Sequence, residues 1–148
     1  MRVVLDTNVL ISGLMFPNGI PGKIVAAWQR GDLRMVMNEA MVVEVNKVLA
    51  YPKIRHRLQW DDQHIIRFVN VLRNFVEMVA MSSLNIIDLR DSSDAPILAA
   101  FFVSGADCLI TGDQDLLVLQ DQFTILTPVE FWQRHGSGIN LHKANRIN

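Results

Sequence analysis

The chain opens on Val3-Val4-Leu5, a short run with the β-branched character of a buried strand. A Gly/Pro-rich stretch from Phe16 to Gly22 follows, and Ile24-Val25-Ala26-Ala27-Trp28 begins a helix that stops near Gly31. Leu33 to Met37 predicts a second strand. Asn38 is placed to cap the next helix, whose apolar positions Met41, Val42, Val45, Val48 and Leu49 form one stripe and which Pro52 closes. Asp61 and Asp62 open a long helix, with Ile65, Ile66, Phe68, Val69, Leu72, Phe75, Val76 and Val79 at helical spacing. Asn85-Ile86-Ile87 predicts a short strand. Ser93 or Asp94 caps another helix, which tolerates Pro96 in its first turn and ends at Gly105. Asp107 to Ile110 and Phe123 to Leu126 are two further strands, and Pro128 starts a last short helix through Trp132.

Strands that alternate with helices argue for a parallel sheet covered on both faces. The expected fold class is therefore α/β, a three-layer α/β/α sandwich with a central parallel sheet. Residues 1–135 form one domain in this reading. From Gly136 to residue 148 the periodicity fades, which predicts a loose C-terminal tail.

Composition narrows the function classes. The 148 residues are half hydrophobic, enough for one sizeable core. The formal net charge of −1 makes the whole molecule no trap for polyanions, so attraction to nucleic acid must come from a local basic patch or a bound cation. The single cysteine, Cys108, lies in an apolar run and excludes an internal disulfide; it reads as a small core residue in a reducing compartment. No apolar stretch is long enough to span a bilayer, and the apolar first sixteen residues, interrupted by Asp6 and Asn8, do not read as a signal peptide. A cytoplasmic location is expected.

Four acids punctuate this pattern: Asp6 after Val3-Val4-Leu5, Glu44 on the border of the Asn38 helix stripe, Asp94 at a helix start, and Asp113 after Leu109-Ile110-Thr111-Gly112. In an open parallel sheet, ligands bind beyond the carboxyl ends of the strands, where Asp6 and Asp113 should emerge. Each acid has an ordinary alternative. Asp94 suits a helix cap, Glu44 a solvated helix position, and Asp113 a turn beside Gly112. Asp6 is harder to explain by solvation, because Val9-Leu10-Ile11 flanks it on the other side. Ionised carboxylates beside buried strands are costly unless paired, and a divalent cation would pair several at once. The four histidines, His56, His64, His135 and His142, fit no ligand spacing and are expected at the surface.

From Met1 to about Trp132 the chain resembles the PIN domain, a metal-dependent ribonuclease fold common among prokaryotic toxins, and its toxin branch in particular. Asp6-Thr7-Asn8-Val9-Leu10 matches the opening strand and first acid. Glu44, followed by Val48-Leu49 and Tyr51-Pro52-Lys53-Ile54, matches the second. Asp91-x-x-Asp94 before an apolar helix matches the third, and Gly105 through Asp113-x-Asp115-Leu116-Leu117 the last. The resemblance implies that Asp6, Glu44, Asp94 and Asp113 hold Mg²⁺ or Mn²⁺ and carry hydrolysis of single-stranded RNA, with Asp115 or Asp91 as peripheral ligands. Asn8 and Thr111 would orient carboxylates or water. It also implies an antitoxin partner and a homodimer. Lys53, Arg55, His56 and Arg57 form the densest basic cluster, read as a loop that contacts RNA or is merely solvated; Arg2, Lys23 and Arg90 are scattered candidates.

Rival readings fit less well. A haloacid dehalogenase-like phosphatase wants a second Asp where Asn8 stands, and another where Leu117 stands. A response-regulator receiver wants paired acids at the end of its first strand, where Asp6 is alone. A non-catalytic PIN-like interaction or RNA-binding module is the remaining alternative.

Overall fold

The structure is a computed structural model that describes residues 1–80 and 95–144, with side chains through residue 139. The expected strand at 85–87, the cap at Ser93 or Asp94, and Arg90 and Asp91 lie outside the described residues. Five parallel strands form one sheet: β1 (Arg2–Leu5), β2 (Arg34–Met37), β3 (Glu77–Met78), β4 (Cys108–Ile110) and β5 (Ile125–Leu126), in the order β3-β2-β1-β4-β5. Eight helices among the described residues flank it: α1 (Thr7–Met15), α2 (Ile20–Gln29), α3 (Glu39–Leu49), α4 (Pro52–Leu58), α5 (Asp62–Phe75), α6 (Ala95–Ser104), α7 (Gln114–Leu117) and α8 (Pro128–Ala144). This is the expected α/β/α arrangement.

β1 is central because it is apolar on both faces. Val3, Val4 and Leu5 are buried, as are all three residues of its neighbour β4. Such continuous apolar runs suit a parallel sheet covered by helices on either side. β1 runs in register with β2 (Val3 opposite Met35) and with β4 (Val3 opposite Cys108). α6 packs on β1 and β2 and buries five consecutive residues, Ile97 to Phe101. Among the described residues no single helix is long and apolar enough to cross a membrane.

Several elements depart from the pattern-based reading. The pattern assigns no element directly after Asp6, yet α1 begins there and buries Thr7, Val9, Leu10, Ile11 and Gly13. α1 and α2 cross at 95°, and the crossing is close because Gly13 and Gly22 lack side chains. Pro52 does more than close α3. It opens α4, since a proline at the first helical position already has a helical φ. The basic cluster from Lys53 to Arg57 is therefore helical, not a loop. The long helix expected through Val79 ends at Phe75; Glu77 and Met78 pair with the open edge of β2 instead. The helix expected to stop near Trp132 continues to Ala144, where a loose tail was expected. Gly136 permits this: a Cβ there would lie 2.8 Å from the Trp132 indole, so the bare backbone lets the ring fold over it, and Ile139 one turn later is buried.

Asn38 ties two of these elements together. It is fully buried, its Oδ1 accepts from the Met41 amide at 3.1 Å to cap α3, and its Nδ2 donates to the Pro96 carbonyl at 2.8 Å in the first turn of α6. Asn38→Ala removes the cap and leaves the Pro96 carbonyl without this donor. We expect a loss of ~2–3 kcal/mol in denaturant unfolding. Asn38→Asp keeps the cap but sets a carboxylate oxygen against the Pro96 carbonyl in a fully buried position, so at neutral pH it should cost at least as much as Asn38→Ala.

Candidate active site at the carboxyl edge of the sheet

From β1 the chain builds outward on one side to β2 and β3, and on the other side to β4 and β5. The direction reverses between β1 and β4, and in open α/β sheets the crevice at such a reversal, beyond the carboxyl ends of the strands, is where ligands bind. Asp6 is the first residue past β1. Its amide donates to the Ile110 carbonyl at 3.0 Å, which extends the β1–β4 ladder by one rung. Thr111 is the first residue past β4 and is fully buried. Its hydroxyl donates to Asp6 Oδ2 at 2.6 Å and accepts from the Asp113 amide at 3.0 Å. One threonine thus joins the ends of both central strands to the two acids that follow them.

Asp113 has the turn role that its sequence context allowed. Its Oδ1 accepts from the Asp115 amide at 2.9 Å and caps the short α7. Glu44 is exposed on α3, and its Oε2 accepts from the Thr7 hydroxyl at 3.0 Å. Thr7 is buried at the first turn of α1. No sequence signal singled it out, although it sits between Asp6 and Asn8; its partner lies 37 residues away, so only the packing of α1 on α3 reveals its role.

The electrostatics at Asp6 follow from this placement. Burial pushes its carboxyl above the usual carboxylate range, and the nearby charges of Glu44 and Asp113 push it the same way. The Thr111 hydroxyl and the Asn8 amide pull it back. Among the described residues no Lys or Arg pairs with Asp6, Glu44 or Asp113. A cavity of about 360 Å³ opens beside them, lined by Asp6, Asn8, Ser12, Pro21, Asp113 and Pro128 among others. Glu44 is not in that lining. Among the described residues no three His, Cys, Asp or Glu side chains are grouped closely enough to hold a metal ion by themselves, and Asp94 lies outside the described residues. Ala95, its neighbour, begins α6, and the Asn38–Pro96 bond holds that first turn beside the start of α3, at the same edge of the sheet.

The remaining candidates lie elsewhere. Arg55 is held to its own scaffold: Nη2 pairs with Asp62 at 2.9 Å and Nε donates to the Trp60 carbonyl at 3.4 Å. The Arg57 guanidinium lies 4.6 Å from the centre of the Phe16 ring, and Lys53 is exposed. Arg2 is at the opposite edge, bridged to Glu77. His56 and His64 are exposed, with His64 stacked on Trp60, and His135 is half-buried against Phe131. Cys108 is buried, and burial pushes its thiol up to about 12, so it is no nucleophile at neutral pH. A larger cavity, about 870 Å³, lies beside the amino end of β2, lined by Trp28, Arg34, Arg67 and Phe75 among others. It holds none of the acids, so size does not locate the chemistry.

The PIN domain profile matches residues 2–115, which takes in Asp6, Glu44, Asp94 and Asp113. An uncharacterized protein of Methanocaldococcus jannaschii is 31% identical over 122 residues, 82% of this chain and 77% of that protein. PIN domains are typically nucleases that act on RNA, and the family generally uses divalent metal ions. With a profile spanning most of its length and a relative aligned along most of both sequences, the chain belongs to the PIN domain family.

Proposed function

We propose that this protein is a Mg²⁺- or Mn²⁺-dependent endoribonuclease that hydrolyses single-stranded RNA, and that it is the toxin of a toxin–antitoxin pair. Asp6, Glu44, Asp94 and Asp113 hold the cation in this reading, with Asp115 at the periphery. The supporting observation is the uncompensated charge at the β1–β4 reversal. Asp6 is raised by burial and by two neighbouring carboxylates, and no basic side chain among the described residues answers them. A hard, all-oxygen donor set of this kind fits Mg²⁺ or Mn²⁺, and Mg²⁺ retains several waters, so it does not need a closed protein cage.

When bound, the cation supplies a Lewis acid that activates water and offsets charge growing on the scissile phosphate. The protein's own residues do the rest. Thr111 fixes the rotamer of Asp6 and the turn that presents Asp113. Thr7 holds Glu44 toward the same edge. Asn8 and Ser12 line the cavity and offer polar atoms to the ribose-phosphate backbone.

Cleavage of an unstructured RNA and of the matching duplex, each with Mn²⁺, Mg²⁺ or chelator, tests the enzyme reading. Cutting of the single strand that chelator stops supports it. Absence of cutting in every metal leaves the non-catalytic RNA-binding module. The toxin role has a separate test: expression of the chain alone should arrest growth, and co-expression of the product of the adjacent reading frame should restore it.

Thr111→Val bears on the site's electrostatics. The hydroxyl hydrogen bond lowers the Asp6 pKa, so its removal should raise it. The acidic limb of the pH–rate profile should then move to higher pH, with activity at its alkaline plateau reduced about tenfold or more by loss of carboxylate orientation. An unmoved limb would mean that Asp6 does not titrate in the rate-limiting step.

A further inference from the structure

We propose that Phe16, with the Arg57 guanidinium over its ring, is a base-stacking subsite that anchors single-stranded RNA about one helix length from the acids. The proposal rests on the ribonuclease reading above and adds where the strand is gripped. Phe16 caps the carboxyl end of α1 and is 48% exposed, although it is large and apolar. The Arg57 guanidinium reaches across from α4 to lie 4.6 Å from the centre of its ring. Arg2, Arg30, Arg55 and Arg73 pair with Glu77, Asp32, Asp62 and Glu39, whereas Arg34, Arg67 and Arg134, like Arg57, make no ion pair among the described residues. Arg57 has no carboxylate partner among the described residues and meets an aromatic face instead. Aromatic rings beside guanidinium groups are the elements that grip single strands, because every base has a face to stack and every phosphate a charge to meet.

The placement relative to the acids gives the subsite its meaning. Asn8 and Ser12 line the cavity beside Asp6 and Asp113. Asn8, Ser12 and Phe16 are spaced four residues apart, so they follow one side of α1. At 1.5 Å per residue Phe16 lies ~12 Å along the axis from Asn8, a span of a few nucleotides of an open strand. Lys53, exposed and one turn before Arg57 on α4, extends the cationic side of this path. A strand whose scissile phosphate is at the acids can therefore lay a base on Phe16 and a phosphate near Arg57. Base-paired RNA cannot, because its bases are already stacked.

Binding of a single-stranded RNA of about ten nucleotides, followed by fluorescence anisotropy in a cleavage-silenced Asp6→Asn background, tests this. Phe16→Leu should weaken binding on the order of tenfold, and Phe16→Tyr should restore it. Removing one base at a time from the RNA should show one position with a loss of similar size, and that position should become silent in Phe16→Leu. Arg57→Gln should weaken binding and flatten its salt dependence. Equal affinity of Phe16→Leu and its parent, or a flat base-removal scan in the parent, would overturn the subsite even if wild-type protein cleaves RNA normally. Absence of cleavage by the wild type would instead overturn the ribonuclease reading, while the scan would still decide the stacking site.

Discussion

Asp6→Asn is expected to lower metal-dependent RNA cleavage by several hundred-fold or more while leaving the fold intact. The substitution keeps the side chain's shape, and its Oδ1 can still accept the Thr111 hydroxyl. What it removes is one negative charge at the β1–β4 reversal, where the proposed site needs charge to hold a cation. Losses of ~3–4 kcal/mol in transition-state stabilisation are usual when one preorganised electrostatic contact is deleted. The same variant should move metal-free stability the other way. The folded Asp6 carboxyl is raised, so the folded state holds its proton more tightly than the unfolded chain does. That contribution favours folding below the ordinary carboxylate range and is lost as pH rises through the folded pKa. At neutral pH the charged, crowded Asp6 therefore works against folding, and Asn relieves it. Melts without metal should show a higher Tm for Asp6→Asn at pH 7, with the difference closing toward pH 4. With Mn²⁺ the order should reverse, because only the wild type gains the full stabilisation of a bound ion. Cleavage by purified Asp6→Asn at the wild-type rate in the same metal buffer would place the activity elsewhere.

Gly22→Ala should be the most destabilising conservative change in the α1–α2 corner, on the order of 3–4 kcal/mol, or a fall of ~10 °C in Tm. A Cβ at Gly22 would lie 2.2 Å from the Pro17 carbonyl oxygen, 2.4 Å from its carbon and 2.6 Å from the Phe16 carbonyl oxygen. All three are backbone atoms of the tight connection between α1 and α2, so no side-chain rotation relieves the clash. The connection must move, and with it Pro21, which lines the cavity beside Asp6. Activity should therefore fall along with stability. Gly138→Ala is the control. It sits in α8, and nothing lies within 4 Å of a Cβ there. The gain in helix propensity should stabilise the protein by up to ~1 kcal/mol. If denaturant melts put the two variants within 1 kcal/mol of each other, the close crossing of α1 and α2 does not limit stability.

The parallel sheet was legible in the chain because its strands are apolar on both faces, and Val3-Val4-Leu5 and Cys108-Leu109-Ile110 admit few other uses. The acids at the strand ends were legible because a carboxylate beside such a run is conspicuous against its neighbours. Caps such as Asn38 and Asp61 could be read locally, since a capping side chain bonds a backbone amide only three residues on.

What the sequence did not carry was partnership at a distance. Thr7 holds Glu44, Thr111 joins Asp6 to Asp113, and Asn38 ties α3 to α6, each across tens of residues or, for Thr111, more than a hundred. The fate of residues 76–79 was decided by the open edge of β2, which offers backbone partners that helical spacing cannot reveal. The course of α8 past Gly136 was decided by the Trp132 ring lying over a bare backbone. Local pattern thus determined which segments are strands and helices and which residues carry charge into the fold. Only tertiary packing decided which charges meet, because hydrogen bonds and Coulomb forces depend on distance in space and not along the chain.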